Sequence, residues 1–497
     1  MSTTDSGAKL ATTIRQVQDL YDRHLYLDAY AVTADLWQAS TDIQSLSIDH
    51  LVLGGRLAAR LGGMRLSRRL LREAFHRDPD NPRVRYFARY AQSRRVRLLD
   101  ELLAFESQSD LGGDDPEIRA AWYASYAYTW AALRDFARAH ECLTTAHALF
   151  PDDSWICSCE SNVLGMEDRW DDALVAAERA WELDPGAPYA INTVGTSLLH
   201  LERIQEAADR VAAAAESTQS FQVGVEAIWY QCALAETLEN EQRQEQLEKA
   251  RFFAEELPRF SPLADREARA AVARAQLDVA GVADDRPAME RWSTELRSPF
   301  HRQLLKNLQK NPGGRRIRLP FRRIVQKYQT CVPASVAVAL SASGGEISAE
   351  QMASAVTFGG TYEWSAADWL RTRDFHVRFF PVTVEVAKSL IEHQVAFVVS
   401  WEADGAGHAV AVIGFDERAE ILLVHDPGVF RQTEYLLTVL NRDVSPLGIK
   451  GMAVVPKERA SELNALLPAE SAVMEAAQEH QKAIALHGPD VARQIVV

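Results

Sequence analysis

Four prolines, Pro79, Pro116, Pro151 and Pro185, stand 37, 35 and 34 residues apart in the first half of the chain. Read as prolines that end helical segments, they give the period of a two-helix unit stacking on copies of itself. Other positions keep that register. Counting back from Pro151, Tyr123, Ala127 and Trp130 line one helix, with Ala139 and Ala146 on the next. Counting back from Pro185 gives Ala173 and Ala180, and the following unit supplies Gly195, Ala207 and Ala214. Small residues thus recur where two helices must approach closely. Each unit buries its apolar face only against its neighbours, so several are needed and the ends should be atypical. Five to seven helix pairs in a curved superhelix are expected.

The pattern resembles the tetratricopeptide repeat, with its small residue in the first helix, two alanines in the second and a terminal proline. The match is clearest over 118–219, weaker from 45 to 80 and faint from 225 to 262. The resemblance implies a surface for a peptide or protein partner, with a purely architectural or dimerising spacer as the alternative. It nominates no contact residue.

At 497 residues the chain is long enough for two or three domains. Its net charge of -15 gives no global electrostatic reason to approach nucleic acid or an anionic membrane. The one basic run, Arg315, Arg316, Arg318, Arg322 and Arg323, reads as a solvated linker and strand start. The stretch Met1 to Lys9 is small and polar, and no window reaches the roughly 18 apolar residues of a membrane span. A soluble, cytoplasmic protein is expected. Five cysteines are too few and too irregular for a disulfide framework or a zinc site, and the Cys157-Ser-Cys159 spacing is not that of a metal pair. Cys142, Cys157, Cys159 and Cys232 fall in helical patterns as small buried hydrophobes. No metal or organic cofactor is implied.

After Pro262 the helical pattern runs on to Leu308 and breaks at Asn311-Pro312-Gly313-Gly314. Beyond the break the apolar residues change period. Val395 to Ser400, His408 to Phe415, Ile421 to Val424 and Met452 to Val455 are short apolar runs separated by Gly, Asp and Pro, and read as strands. Helical segments precede them at Cys331 to Leu340, Ser348 to Val356, Ala366 to Thr372 and Val384 to Glu392. Helices first and sheet second make an α+β domain. The expected division is a repeat region over 1–310, a linker over 311–318, an α+β domain over 319–457 and a helical tail over 458–497, capping that domain or lying on the repeats.

Cys331 differs from the other cysteines. It stands at a loop-to-helix junction in Gln326-Lys-Tyr-Gln-Thr-Cys331-Val-Pro-Ala-Ser335, with Pro333 tolerated in the first helical turn. A thiol there lies at the positive end of the helix dipole, which favours its thiolate. Its own amide, and a glutamine side chain just upstream, can point at a developing oxyanion. His408 opens an apolar strand after the glycine loop Asp404-Gly-Ala-Gly407, where a rigid element holds the imidazole and leaves its tip open. Eighteen residues on, Asp426 ends the next apolar run, and a hairpin of the two strands would set it beside His408. His425 is the rival base, although strand alternation points it away from Asp426. Trp364 and Trp369 are candidates for a substrate groove or for core packing.

The order Gln, Cys, His, Asp resembles the peptidases that cleave double-glycine leaders from bacteriocins (peptidase C39-like), and their broader papain-like relatives in bacteria, over Leu319 to Pro456. The resemblance implies a papain-like cysteine peptidase domain behind an α-helical tetratricopeptide-like solenoid. In it Cys331 is the nucleophile, His408 the general base and acid, Asp426 the orienting residue and Gln326 the oxyanion donor. The substrate would be a peptide or protein, recruited by the repeats. Two positions depart from the family. Gln326 precedes the cysteine by five residues rather than six, leaving Gln329 as an alternative donor, and Val332 replaces the usual Gly or Ala. Acyl transfer by the same thiol and a non-enzymatic peptide-binding adaptor are the competing functions.

Overall fold

The computed structural model describes residues 3–33, 43–91, 98–106, 113–218, 220–403, 406–429, 432–436 and 448–487. The chain forms two compact units, one of residues 1–234 with 245–279, the other of 235–244 with 280–497.

The first unit is built from helices in sequence-adjacent pairs. They are α1 (Thr3–Asp22) and α2 (Tyr26–Thr33), α3 (Ile48–Arg60) and α4 (Met64–Arg77), α5 (Pro82–Tyr90) and α6 (Leu98–Glu106), and α7 (Pro116–Ala132) and α8 (Phe136–Leu149). The series continues with α9 (Ser154–Met166) and α10 (Trp170–Leu183), α11 (Pro188–His200) and α12 (Ile204–Thr218), α13 (Phe221–Ala235) and α14 (Asn240–Phe260), then α15 (Arg266–Ala283). The repeat is written in the backbone as well as in the side chains. Arg134, Asp168 and Glu202, 34 residues apart, all take positive φ in the turn inside a pair. In each turn the next amide reaches back five residues, as Asp135 N to Trp130 O, Arg169 N to Leu164 O and Arg203 N to Leu198 O. The register residues are buried: Ala127, Trp130, Ala139 and Ala146 share one core cluster, against which Tyr123 packs. Ala173, Ala180, Ala207 and Ala214 are buried likewise. A side chain at Gly195 would place its Cβ 2.8 Å from the Tyr230 hydroxyl, so only glycine fits there.

Two details differ from the sequence expectation. Pro116 does not end a helix. It opens α7 at the first helical position, where the missing amide costs nothing because that amide has no partner anyway, and Asp115 caps the turn. In addition, the array curves until its two ends meet. Leu263 N donates to Leu61 O at 3.2 Å, Asp265 N to Gly62 O at 3.2 Å, and the Asp265 carboxylate accepts from Arg65 N at 2.7 Å. His24, between α1 and α2, lies 2.6 Å from Asp184 after α10, so the first pair reaches residues far along the array.

In the second unit α16 (Arg286–Glu295) and α17 (Pro299–Lys310) precede strand β1 (Arg316–Arg318). Helix α18 (Cys331–Ala342) comes next, followed by α19 (Ala349–Val356), α20 (Glu363–Arg371), β2 (Phe375–Pro381) and α21 (Val384–Glu392). Then come β3 (Phe397–Ala403), β4 (Ala406–Asp416), β5 (Ile421–His425), β6 (Gln432–Leu436), β7 (Lys450–Pro456), α22 (Ala460–Leu466) and α23 (Ser471–His487). The strands make one antiparallel sheet in the order β2-β7-β3-β4-β5-β6, with β1 also pairing with β4. α17 is tied to this unit, its Asn307 side chain donating to Ala419 O at 2.9 Å. The tail covers the sheet edge. Glu475 of α23 accepts from Phe379 N at 2.8 Å and pairs with Arg378 of β2 at 3.0 Å.

The basic run does start a strand, β1, but it is only partly solvated. Arg315 pairs with Glu392 and Glu417, Arg316 with Asp284 and Arg322 with Glu346, while Arg318 and Arg323 converge on Glu236. Each charge meets an acid from another segment, a relation invisible in a local stretch of sequence.

Candidate active site

Cys331 is the first residue of α18, and the turn before it is fixed by its own hydrogen bonds. Lys327 N donates to the Thr330 hydroxyl at 2.9 Å, and that hydroxyl donates to Lys327 O at 3.0 Å. Gln329 takes φ of 57°, a left-handed conformation that turns the chain sharply into the helix. Behind the cysteine, Val332 to Leu340 are buried almost without interruption, so α18 is held as a core element rather than as a surface helix. The Ser335 hydroxyl donates to Ala409 O at 3.0 Å, which ties the second turn of α18 to β4 beside His408.

The structure brings three of the sequence candidates together. His408 Nε2 lies 2.9 Å from Asp426 Oδ1, and the Cys331 thiol is the ring's other hydrogen-bonding neighbour. Strand pairing produces this contact, because β4 and β5 run antiparallel and a β-bulge between Val412 and Gly414 shifts their register. Asp426 is buried and also accepts from Gly428 N at 2.8 Å. Burial pushes its carboxyl up, but His408 and the Gly428 amide outweigh burial and hold it below the ordinary carboxylate value. The hydrogen bond to Asp426 first, and the thiol second, raise His408 from its ordinary 6.5 to about 9. The imidazolium is therefore the favoured form at neutral pH. The part of the glycine loop formed by Asp404 and Gly405 lies outside the described residues.

The two glutamines separate clearly. Gln326 N donates to Pro427 O at 3.0 Å, and its side chain lies against Gly428 with Oε1 buried and without a hydrogen-bond partner. Gln329 instead turns outward, its amide 3.2 Å from the exposed Tyr328 hydroxyl. His425 is fully buried, with Nε2 3.0 Å from Ile324 O. Burial pushes it down to about 3, so it stays neutral.

Sequence reasoning missed Trp401. It pairs with His408 across β3 and β4, and its ring meets the imidazole edge-on at 5.5 Å. Its place at the end of an apolar run that also carries Ser400 was the only available signal. Of the tryptophans that did stand out, Trp364 stacks on Tyr362 at 5.6 Å and Trp369 lies under the Arg373 guanidinium at 3.7 Å. The other four cysteines are buried, and burial raises Cys142 and Cys157 to about 11 and Cys159 further. Among the described residues no cluster of His, Cys, Asp and Glu is placed to hold a metal ion.

Residues 318–442 match the model of the Peptidase_C39 like family, a quarter of the chain that spans Cys331, His408 and Asp426. No curated protein matches. Among solved structures, the chain is similar to a thermophilic TPR protein of Thermus thermophilus, at 20% identity and a TM-score of 0.27 over 34% of this chain and 91% of that one. It is also similar to a tetratricopeptide repeat protein of Parabacteroides merdae, at 12% identity and a TM-score of 0.30 over 52% of this chain and 97% of that one. A region of paired helices with a 34-residue period thus precedes a stretch that matches the C39-like family model.

Proposed function

We propose that the second unit is a cysteine peptidase acting on a peptide or protein that the helical repeats recruit. The observation that carries this reading is the placement of His408 between the Asp426 carboxylate, 2.9 Å away, and the Cys331 thiol. An imidazole raised to about 9 keeps its proton at neutral pH, and a protonated imidazole beside a thiol is the pairing that activates a thiol nucleophile. The sign follows directly. A folded-state value above the ordinary 6.5 means that this pairing contributes its full stability below about pH 6.5 and loses it as pH rises through about 9.

In this reading the Cys331 thiolate attacks the carbonyl carbon of the scissile amide. The oxyanion that forms is met by the Cys331 amide at the start of α18 and by the side-chain amide of Gln326. His408 gives its proton to the amide nitrogen as the C–N bond breaks, leaving a thioester and a free amine. Water then attacks the thioester, His408 takes its proton, and the acid and the Cys331 thiolate are released. Asp426 orients the imidazole and offsets its charge throughout.

The direct test is alkylation. Cys331 should react with iodoacetamide at about pH 6 at least tenfold faster than a free thiol, and His408→Ala should remove the excess. With a cleaved peptide in hand, Cys331→Ala should lower turnover by about four to six orders of magnitude without moving the melting temperature. A wild-type thiol no faster than a free one would leave the fold as a peptide-binding adaptor. Interception of the thioester by an added amine, seen as a mass shift of the product, would turn the reading towards acyl transfer.

A further inference from the structure

The segment that leads into the nucleophile is anchored by an acid from far upstream. Residues 235–244, the connection from α13 into α14, belong to the second unit although the residues on either side belong to the first. In that connection Glu236 is buried, its side chain 2% exposed, and it faces two arginines of the segment after β1. The Arg323 guanidinium donates to Glu236 Oε2 and is itself only 6% exposed. Arg318 donates to the Glu236 backbone carbonyl at 3.2 Å and lies 3.6 Å from Oε1.

From there a continuous set of contacts runs to the proposed site. Arg318 covers the Phe321 ring at 5.3 Å, and Phe321 packs on the His425 ring at 5.1 Å. His425 donates to Ile324 O, the residue after Arg323. Gln326 N holds Pro427 O, and the turn so held carries Asp426, whose carboxylate orients His408. Two guanidiniums buried this deeply repel each other and suffer from desolvation, so the segment can occupy its place only with an anion between them. Burial disfavours the charge on both arginines, and Glu236 opposes that effect.

We infer that Glu236 is a positioning residue for the thiol site, holding the Arg318–Gln326 segment and through it the Asp426 turn, from a connection between two repeat helices. The inference rests on the peptidase reading of Cys331 and His408. It makes the working unit discontinuous in sequence: the chain that shapes the site is not contained in the stretch that matches the family.

The test uses the full chain and the alkylation rate of Cys331 at about pH 6, counted per folded molecule from the melting curve. Glu236→Gln keeps the shape and removes the charge, and it should slow alkylation about tenfold or more. Glu236→Asp keeps the charge and should recover most of the rate, a rescue that loss of packing alone would not produce. Arg318→Gln, at the less buried arginine, should slow the rate in the same direction but by less, and it stands in if Glu236→Gln fails to fold. A folded Glu236→Gln, or in its absence a folded Arg318→Gln, that alkylates at the wild-type rate would overturn the inference. Slow alkylation of the unsubstituted protein is a separate result, visible before any variant is made, and it would overturn both the peptidase reading and this one.

Discussion

At the scale of single residues, backbone geometry bears on the choice between the glutamines. Sequence spacing favoured Gln326 although it is one residue short of the family position, since Gln329, two residues before the thiol, has little loop in which to turn back. The left-handed turn at Gln329 sends its side chain towards Tyr328, while the hydrogen bond from Gln326 N to Pro427 O draws Gln326 against the Asp426 turn. If Gln326 meets the oxyanion, Gln326→Ala should lower kcat by about a hundredfold and leave KM nearly unchanged, because that bond strengthens only as charge develops. Gln329→Ala should be nearly silent. Steady-state kinetics on both variants reads this, and the opposite pattern would transfer the role. Burial keeps His425 neutral, which sets it apart from His408.

At the scale of elements, the strands read from sequence were those with apolar residues on both faces, β3, β4, β5 and β7. The strands not read were β2 and β6, which close the two edges of the sheet, while β1, only three residues long, was read as no more than a strand start in the basic run. Edge strands carry polar and charged residues: His376 and Arg378 interrupt the apolar residues of Phe375–Pro381, and Gln432–Leu436 is mostly polar, so neither shows a continuous apolar run. β1 matters despite its length, because it crosses the end of β4 so closely that a Cβ at Gly414 would sit 2.3 Å from Ile317 O. Gly414→Ala is accordingly expected to cost about 1–3 kcal/mol in urea denaturation, by forcing β1 away from β4. Since β1 leads into the Arg318–Gln326 segment, slower alkylation of Cys331 should accompany the loss. An unchanged denaturation midpoint would show that the strand yields without cost.

At the scale of the whole molecule, the composition break at 311–314 suggested that the chain could be cut there, but the contacts that complete the second unit begin earlier. Asn307 holds Ala419 O, Arg316 donates to Gly281 O at 2.6 Å, and Glu236 lies between two arginines. Deleting residues 1–310 should therefore abolish cooperative melting, measured by circular dichroism, rather than merely weaken substrate recruitment. A fragment 311–497 that melts cooperatively and alkylates at the full-chain rate would show that those contacts are dispensable. Among the described residues no helix is long and apolar enough to cross a membrane, in line with the hydropathy of the sequence. What the sequence alone determined is whatever has a local period or a local rule: the repeat of about 34 residues, the apolar strands, the thiol at a helix start and the histidine at a strand start. Burial imposes those periods residue by residue, so they survive in one dimension. Only the tertiary structure decided which distant groups meet, namely Trp401 with His408, Glu236 with Arg318 and Arg323, and the two ends of the helical array. Such contacts join segments far apart in the chain, and their energies depend on desolvation and distance, quantities that no linear spacing encodes.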